Sequence, residues 1–213
     1  MAQTAVVIGS TGLVGRLLVQ QLVEHPEFER VVSYARRPLG WSHSKLVERT
    51  LPLSERFEER IEGDAFFSCM GTTIKVAGSR EAFRRIDYEW PLRFAQACRA
   101  GGVRQCLSVS AMGANPGSPF FYPRVKGELE DSLIALKFPS LTIVRPSVLL
   151  GERDEERPME AVSAGLLKVV GALLPGPLRH YRGVAAAAVA ACLVRAALAP
   201  VPACRIILSG DIP

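Results

Sequence analysis

Tyr122 and Lys126 are separated by three residues in the segment Phe121-Tyr-Pro-Arg-Val-Lys126. Residues at positions i and i+4 share one face of a helix, so the phenol and the ammonium group are predicted to lie close together. A tyrosine hydroxyl can exchange a proton with a substrate oxygen, and a nearby ammonium group favours the phenolate form. We assign Tyr122 as a general acid/base and Lys126 as the group that supports it. The alternative is a packing tyrosine beside a solvated lysine.

A serine hydroxyl precedes this pair at the end of a predicted strand. Ser110 follows the apolar run Cys106-Leu-Ser-Val109, and Ser108 lies two residues earlier on the same side of the strand. Either hydroxyl could hydrogen-bond a substrate oxygen while Tyr122 exchanges the proton. We assign Ser110 to this role and keep Ser108 as the alternative.

A glycine-rich turn opens the chain between a β-branched run and a helical pattern. Ala5-Val-Val-Ile8 leads into Gly9-Ser-Thr-Gly12-Leu-Val-Gly15. The first glycine allows a tight turn, the second lets a pyrophosphate approach the backbone, and the third lets the helix pack against the strand. Free N–H groups at the helix start then face the phosphates. This arrangement predicts dinucleotide binding.

Two arginines, Arg36 and Arg37, follow the second predicted strand, where NAD-binding proteins carry Asp or Glu for the ribose 2′-hydroxyl. Guanidinium groups suit the 2′-phosphate of NADP, so we expect NADP over NAD. Farther along, Ser68-Cys69-Met-Gly71-Thr72 ends the fourth strand in small residues, and Gly71, with Thr72 next, is predicted to pass the cofactor closely. The alternatives are a solvated arginine pair and an ordinary glycine turn.

Strand-like and helix-like segments alternate along the chain, which predicts an α/β fold with a doubly wound parallel sheet of the Rossmann type. The strands are predicted near 4–9, 30–35, 46–50, 64–69, 104–109, 141–145 and 204–208. The helices are predicted near 13–24, 80–100, 120–137, 159–171 and 184–198, with a weaker helical turn near 54–60. We expect one domain over 1–213, with residues 151–183 forming a small carboxyl-terminal lobe on the substrate side or a helix covering the sheet.

Composition narrows the class of protein. A hydrophobic content of 48% and a charged content of 22% are ordinary for a globular chain that needs no disulfide or metal staple. The net charge of +5 is dispersed, so nucleic-acid binding is not expected. Five scattered cysteines and three unrelated histidines show no metal-ligand spacing. Reduced thiols, together with Met1 leading directly into the first strand, predict a cytoplasmic protein without a signal peptide.

The composition and hydropathy of the chain also indicate which binding partners to expect. The apolar stretch 184–198 is too short to span a bilayer and contains Arg195, so no membrane partner is expected. We expect a small-molecule substrate. The predicted helices over 80–100 and 120–137 either cover the sheet or pair in a homodimer.

These motifs occur in an order that resembles the atypical short-chain dehydrogenase/reductases, and within them the Tat-interacting oxidoreductase family and its bacterial relatives. The stretches that carry the resemblance span nearly the whole chain: Gly9–Gly15, Ala35–Arg37, Ser68–Thr73, Phe83–Tyr88, Leu107–Gly113, Tyr122–Glu128 and Val144–Gly151.

The resemblance implies a Rossmann fold, NADP binding and the Ser–Tyr–Lys roles assigned above. It also implies that Lys126 holds the nicotinamide ribose and that Pro146 to Val148 approach the nicotinamide. One departure is that Cys69-Met70-Gly71 stands where many reductases carry Asn-Ala-Gly. The residues assigned to the cofactor are Gly9, Ser10, Thr11, Gly12, Leu13, Val14, Gly15, Arg36, Arg37, Cys69, Gly71, Thr72, Lys126, Pro146 and Val148.

The predicted function is an NADP-dependent oxidoreductase that acts on a small carbonyl or alcohol. The alternative is a non-catalytic protein that senses NADPH or binds a partner, because several relatives in the resembled group are regulators. A sugar-nucleotide epimerase is less favoured, since such enzymes carry a larger substrate domain than the residues after Arg145 can form.

Overall fold

The computed structural model describes residues 3–50, 60–151 and 182–212. Its strands are β1 (Gln3–Ile8), β2 (Phe28–Ala35), β3 (Leu46–Thr50), β4 (Ala65–Ser68), β5 (Gln105–Val109), β6 (Ser140–Arg145), β7 (Leu149–Leu150), β8 (Val184–Ala185) and β9 (Ala203–Leu208). Seven of them form a parallel sheet in the order β3-β2-β1-β4-β5-β6-β9, and β7 pairs with β8 separately. All seven predicted strands are present.

The helices pack on both faces of this sheet. They are α1 (Leu13–Glu24), α2 (Ile74–Ala77), α3 (Arg80–Arg84), α4 (Trp90–Ala100), α5 (Phe121–Ala135) and α6 (Ala186–Leu198). Helices α1 and α6 bury one face, and α4 and α5 bury the other. Among the described residues, no helix is long and apolar enough to cross a bilayer.

The apolar run of β1 explains why helices cover both faces of the sheet. Ala5 and Val7 point into the core under α1 and α6, whereas Val6 and Ile8 point into the core under α4 and α5. A strand buried on both faces reads as a continuous apolar run, as in parallel α/β sheets. The doubly wound Rossmann-type prediction is therefore confirmed.

The strand order places a crevice where the candidate site residues converge. The chain order runs outward from β1 to β3 on one side and from β4 to β9 on the other. Loops that leave the carboxyl ends of β1 and β4 therefore turn to opposite faces and leave a crevice between them. Ligands of open α/β sheets bind at this topological switch point.

The helix predicted over 80–100 is present, but a π-helical turn (Arg85–Glu89), which was not predicted, lies between α3 and α4. The amide of Trp90 donates to the carbonyl of Arg85, five residues earlier. The next residue is Pro91. Proline has no amide hydrogen to donate to the carbonyl four residues earlier, and its ring clashes with that carbonyl. This proline favours the wider turn.

Three further short features were not predicted from the sequence. They are helix α2, a 3-10 helical turn over Ser209–Asp211, and the β7–β8 pair, after which α6 begins at Ala186. Most of the lobe predicted over 151–183 and the helix predicted near 159–171 lie outside the described residues. So does nearly all of the turn predicted near 54–60.

Candidate active site and cofactor site

The glycine loop between β1 and α1 is closely packed at its first and third glycines. Gly9 has a φ of +74°, and a Cβ on it would lie 2.5 Å from the carbonyl carbon of Cys69. A Cβ on Gly15 would lie 2.1 Å from the carbonyl oxygen of Gly9. No side chain fits at either distance. These glycines join the loop to α1 and to the residues after β4.

The middle glycine is open to solvent. Gly12 is the N-cap of α1, and the nearest atom to a Cβ there would be the Gly9 carbonyl oxygen at 3.2 Å. Within the part of the chain that the structure describes, no side chain caps α1, and its first turn has no acidic residue. The first amides of the helix are left available to an anion.

The other loop residues assigned to the cofactor differ in exposure. Ser10 is fully buried, and its Oγ accepts a hydrogen bond from the Ser33 Oγ at 2.7 Å. Val14 is buried in the core beneath α1. Both side chains hold the loop to the sheet, so only their backbones can face a ligand. Thr11 and Leu13 are half-buried at the edge of the loop.

Gly15→Ala and Gly12→Ala should separate folding from ligand binding. We expect Gly15→Ala to lower the free energy of unfolding by about 2–3 kcal/mol, because its Cβ meets backbone. We expect Gly12→Ala, whose Cβ would lie 3.2 Å from the Gly9 carbonyl oxygen, to cost less stability than Gly15→Ala and to weaken dinucleotide binding about tenfold. Urea unfolding and NADPH titration of both variants would check this. Equal stability of the two variants would contradict the packing argument.

Arg36 and Arg37 are exposed directly after the carboxyl end of β2, the strand beside β1. No ion pair or hydrogen bond is recorded for either guanidinium within the described ranges 3–50, 60–151 and 182–212. Both groups remain available to an anion at this edge of the sheet.

The residues after β4 connect the glycine loop to the rest of the site. The amide of Cys69 donates to the carbonyl of Ile8, and burial raises the pKa of the Cys69 thiol to about 12. This thiol therefore stays protonated at neutral pH. The backbone amide of Thr72 donates to Asp87 Oδ2 at 2.9 Å. A Cβ on Gly71 would lie 3.7 Å from Lys126 Nζ.

Lys126 is held in a buried ion pair. Its Nζ lies 2.7 Å from Asp87 Oδ1, and the side chains are 4% and 0% exposed. Burial by itself lowers the pKa of Lys126, but the negative charges of Asp87, Tyr122 when ionised and Glu130 raise it more, so its pKa is raised overall. The ammonium group stays charged throughout the neutral range.

A second ion pair lies one helical turn farther along α5. Glu130 accepts hydrogen bonds from Arg145 at both carboxylate oxygens, the Nε–Oε1 distance being 3.0 Å. This pair holds α5 against β6. Glu130 is nevertheless close enough for its charge to raise the pKa of Lys126. Asp87, Lys126 and Glu130 are buried and the Arg145 side chain is 24% exposed, so the two acids and two cations balance one another with three of the four charges out of water.

Asp87 was not predicted as a site residue, although a signal was present in the sequence. Phe83, Asp87, Trp90 and Phe94 follow helical spacing, and all four are buried. A buried carboxylate in an apolar stripe requires a cation or several donors. That requirement points to an inward-facing lysine, but only the folded chain identifies Lys126. Asp87 lies in the π-helical turn, a feature that is frequent at functional sites.

Tyr122 lies in the first turn of α5, where Phe120 is the N-cap. Its ring packs against Phe83 with centroids 5.6 Å apart, while the side chain remains partly exposed. Pro123 is the third helical residue, within the first turn, where no intrahelical amide donor is needed. Tyr122 and Lys126 therefore lie in one regular helix, as the spacing predicted.

Ser110 directly follows β5, and its amide donates to the carbonyl of Val144 at 2.8 Å. Its Oγ is buried and has no hydrogen-bond partner among the described residues. A buried hydroxyl without a partner is costly unless a ligand satisfies it. Ser108 is buried inside the strand. The geometry favours Ser110 over Ser108 as the hydroxyl that meets a substrate.

The segment after β6 closes this end of the site. The carbonyl of Pro146 accepts a hydrogen bond from the Met112 amide at 2.9 Å, and the Val148 carbonyl accepts one from Val184. The loop after β6 is thereby fixed beside the loop after β5. A Cβ on Gly151 would lie 3.0 Å from Leu13 Cδ1, so this segment reaches the start of α1.

Solved structures support the fold. A short chain dehydrogenase family protein from Francisella tularensis has a TM-score of 0.70 and 13% identity, with 99% of both chains covered. MoeE5 in complex with UDP-glucose and NAD has a TM-score of 0.71 and 17% identity, covering 95% of this chain and 74% of the other. The chain has the Rossmann-like fold of the short-chain dehydrogenase/reductases.

Sequence relatives are more similar. No family model matches the chain. Protein FMP52-1, mitochondrial, of Scheffersomyces stipitis is 40% identical over 171 residues, covering 78% of this chain and 76% of the relative. Protein FMP52, mitochondrial, of Candida albicans is 38% identical over 156 residues, covering 70% of this chain and 68% of the relative.

The names of these relatives contradict the cytoplasmic location that we predicted from the sequence, and that prediction is wrong. Scattered reduced thiols indicate the redox environment of a protein but do not identify the compartment in which it lies. The identity and coverage place the protein in a family nonetheless: this chain belongs to the FMP52 family.

Proposed function

We propose that this chain is an NADP-dependent oxidoreductase that interconverts a small carbonyl compound and its alcohol. One observation carries the proposal. A continuous series of contacts runs from Gly9 to Cys69, through Thr72 to Asp87, and from Asp87 to Lys126. It links the cofactor-type loop to the helix that carries Tyr122. The NAD in the MoeE5 structure supports a nicotinamide cofactor here.

The residues present fit such a cofactor. The uncapped start of α1 and the open Gly12 suit a pyrophosphate. Arg36 and Arg37 suit a 2′-phosphate, and the absence of a side chain at Gly71 leaves room beside Lys126. Bound NADPH would supply the hydride. Lys126 would hold the ribose hydroxyls, and Pro146 and Val148 would border the nicotinamide.

The protein's own groups would complete the reaction. The unpartnered Ser110 Oγ would donate a hydrogen bond to the substrate oxygen and orient it. Tyr122 would transfer a proton to that oxygen, and the nearby Lys126 ammonium would stabilise the resulting phenolate. The resemblance to the Tat-interacting oxidoreductase family supports these roles.

The test is NADPH oxidation over a panel of aldehydes, ketones and quinones, combined with NADPH binding by titration. Turnover of any carbonyl together with NADPH binding supports the proposal. Tight NADPH binding without turnover of any member would instead favour a protein that senses NADPH or binds a partner.

Arg36→Ala and Arg37→Ala should test the preference for NADP. Loss of a charge-assisted hydrogen bond to the 2′-phosphate is expected to weaken NADPH binding about tenfold or more, with no change for NADH. The control is Arg99→Ala, which removes an exposed charge near the end of α4. Equal affinity of the unchanged protein for NADH and NADPH would contradict the assignment.

A further inference from the structure

Five exposed apolar side chains lie on the two chain segments that also carry candidate site residues. Among the described residues, the large hydrophobic side chains that remain exposed are Ile74, Val76, Met112, Phe120, Tyr122, Ile134 and Ile206. The first five lie on the segments that follow β4 and β5. We name these five the apolar rim. Phe120, at 74% exposure, is the most exposed of them and stands two residues before Tyr122.

The apolar rim lies beside the site already described. Phe83, on α3, packs against Phe121 and Tyr122 with centroid distances of 5.6 Å. Helix α2 begins two residues after Thr72, whose amide donates to the carboxylate paired with Lys126. Met112 is two residues after Ser110. Each member of the rim therefore lies within four residues, along the chain, of a residue assigned to the cofactor or to the reaction.

The loop that presents Phe120 has a defined conformation. The amide of Asn115 donates to the carbonyl of Pro123 at 3.0 Å, and the amide of Phe120 donates to Ser118 Oγ at 3.2 Å. A Cβ on Gly127 would lie 2.3 Å from this loop's backbone, so α5 packs closely against it. The exposure of Phe120 is thus built into the loop.

Charge is scarce on this rim. Residues 110–123 contain no charged side chain. The nearby Arg80 guanidinium lies 5.3 Å above the Phe121 ring, and Arg124 donates to the carbonyl of Ser118. Lys75, on α2, is a charged side chain that lies between two members of the rim, Ile74 and Val76. A strongly anionic substrate such as a nucleotide sugar would find few cations in these two segments.

We infer that the substrate is an apolar carbonyl compound whose hydrocarbon part, several carbons long, lies on the apolar rim while its oxygen meets Ser110 and Tyr122. This inference rests on the proposed function and specifies its substrate class. Removing methylene groups from water against Phe120, Val76 and Met112 supplies the binding energy.

The experiment measures two chain-length series with the full chain and saturating NADPH. The kcat/KM for NADPH oxidation is followed from propanal to decanal, and binding of the unreactive amides butanamide to decanamide is measured by calorimetry. We expect both kcat/KM and amide affinity to rise about threefold per methylene. Phe120→Ser should reduce this slope and weaken decanamide binding about tenfold. Ile134→Ser, at an exposed apolar position near the other end of α5, should change neither.

The amide series separates the two proposals. If no aldehyde is turned over, the proposed function fails, and the amide slope alone decides the substrate class. Amide affinities independent of chain length overturn the inference even if short aldehydes are reduced. An unchanged slope in Phe120→Ser also overturns it. The inference is also overturned if the protein is a dimer that Phe120→Ser dissociates and amide affinity does not depend on chain length. In that case a second copy of the chain covers the rim.

Discussion

Under the proposed function, replacing Tyr122 by Phe is expected to lower NADPH-dependent turnover by about 10²–10⁴-fold, the usual contribution of a positioned general acid. The substitution removes the hydroxyl and keeps the ring that packs against Phe83. Folding and NADPH binding should therefore be unchanged. The measurement is single-turnover NADPH oxidation with a carbonyl from the panel, beside an NADPH titration and a thermal unfolding curve.

The matched control for Tyr122→Phe is Tyr88→Phe. Tyr88 is partly buried, and its hydroxyl forms a hydrogen bond with Ser132 Oγ at 3.2 Å. Loss of this hydrogen bond in Tyr88→Phe should leave turnover within about twofold of that of the original protein. The turnover of Ser110→Ala should lie between those of Tyr122→Phe and Tyr88→Phe, because this change removes a substrate hydrogen bond and leaves the proton donor in place. Full turnover by Tyr122→Phe would exclude Tyr122 as the general acid.

Replacing Asp87 by Leu is expected to lower the free energy of unfolding by about 3–5 kcal/mol, the usual result of leaving one member of a buried ion pair without its partner. Lys126 would lose its carboxylate partner at a position where its side chain is only 4% exposed. The Thr72 amide would also lose its acceptor. Urea unfolding at pH 7 measures the loss.

A double variant makes this prediction specific. Asp87→Leu combined with Lys126→Met removes both charges, and we expect it to regain most of the stability lost in the single variant. Asp87→Asn is the conservative variant, because its amide oxygen can still accept from Thr72. A double variant as unstable as the sum of the two single variants would show that the ion pair is not energetically coupled.

The sign of the Lys126 pKa shift sets the pH range of this effect. A cation whose pKa is raised in the folded state stabilises that state at pH values below its unfolded pKa, near 10.4 for lysine. The contribution is lost as pH rises through the raised folded value. Stability conferred by Lys126 should therefore be constant across the neutral range.

The elements of the fold could be predicted because their signals are local. Apolar runs such as Ala5–Ile8 and Leu141–Val144 are buried on both faces, and each coincides with an observed strand. Helix α5 was predicted to within two residues at each end. The π-helical turn inside the helix predicted over 80–100 was missed, because the effect of Pro91 is a change in hydrogen-bond geometry that helical periodicity does not reveal.

The candidate site was predicted only where its residues are close in sequence. Tyr122 and Lys126 share a helix, and Gly9 and Gly15 share a loop, so spacing is sufficient to associate them. The ion pair of Asp87 with Lys126 joins residues from different helices, and its formation depends on how α4 and α5 pack on the same sheet face. No local pattern specifies that distance.

By itself, the sequence determined the parallel α/β architecture, the glycine loop and the Tyr–Lys helix, because each depends on residue type and short-range periodicity. The tertiary structure decided which acid pairs with Lys126, that the Ser110 hydroxyl has no partner among the described residues, and which apolar side chains on the segments after β4 and β5 stay exposed. These are properties of contact and burial. They arise only when strand order brings distant loops to the same edge of the sheet.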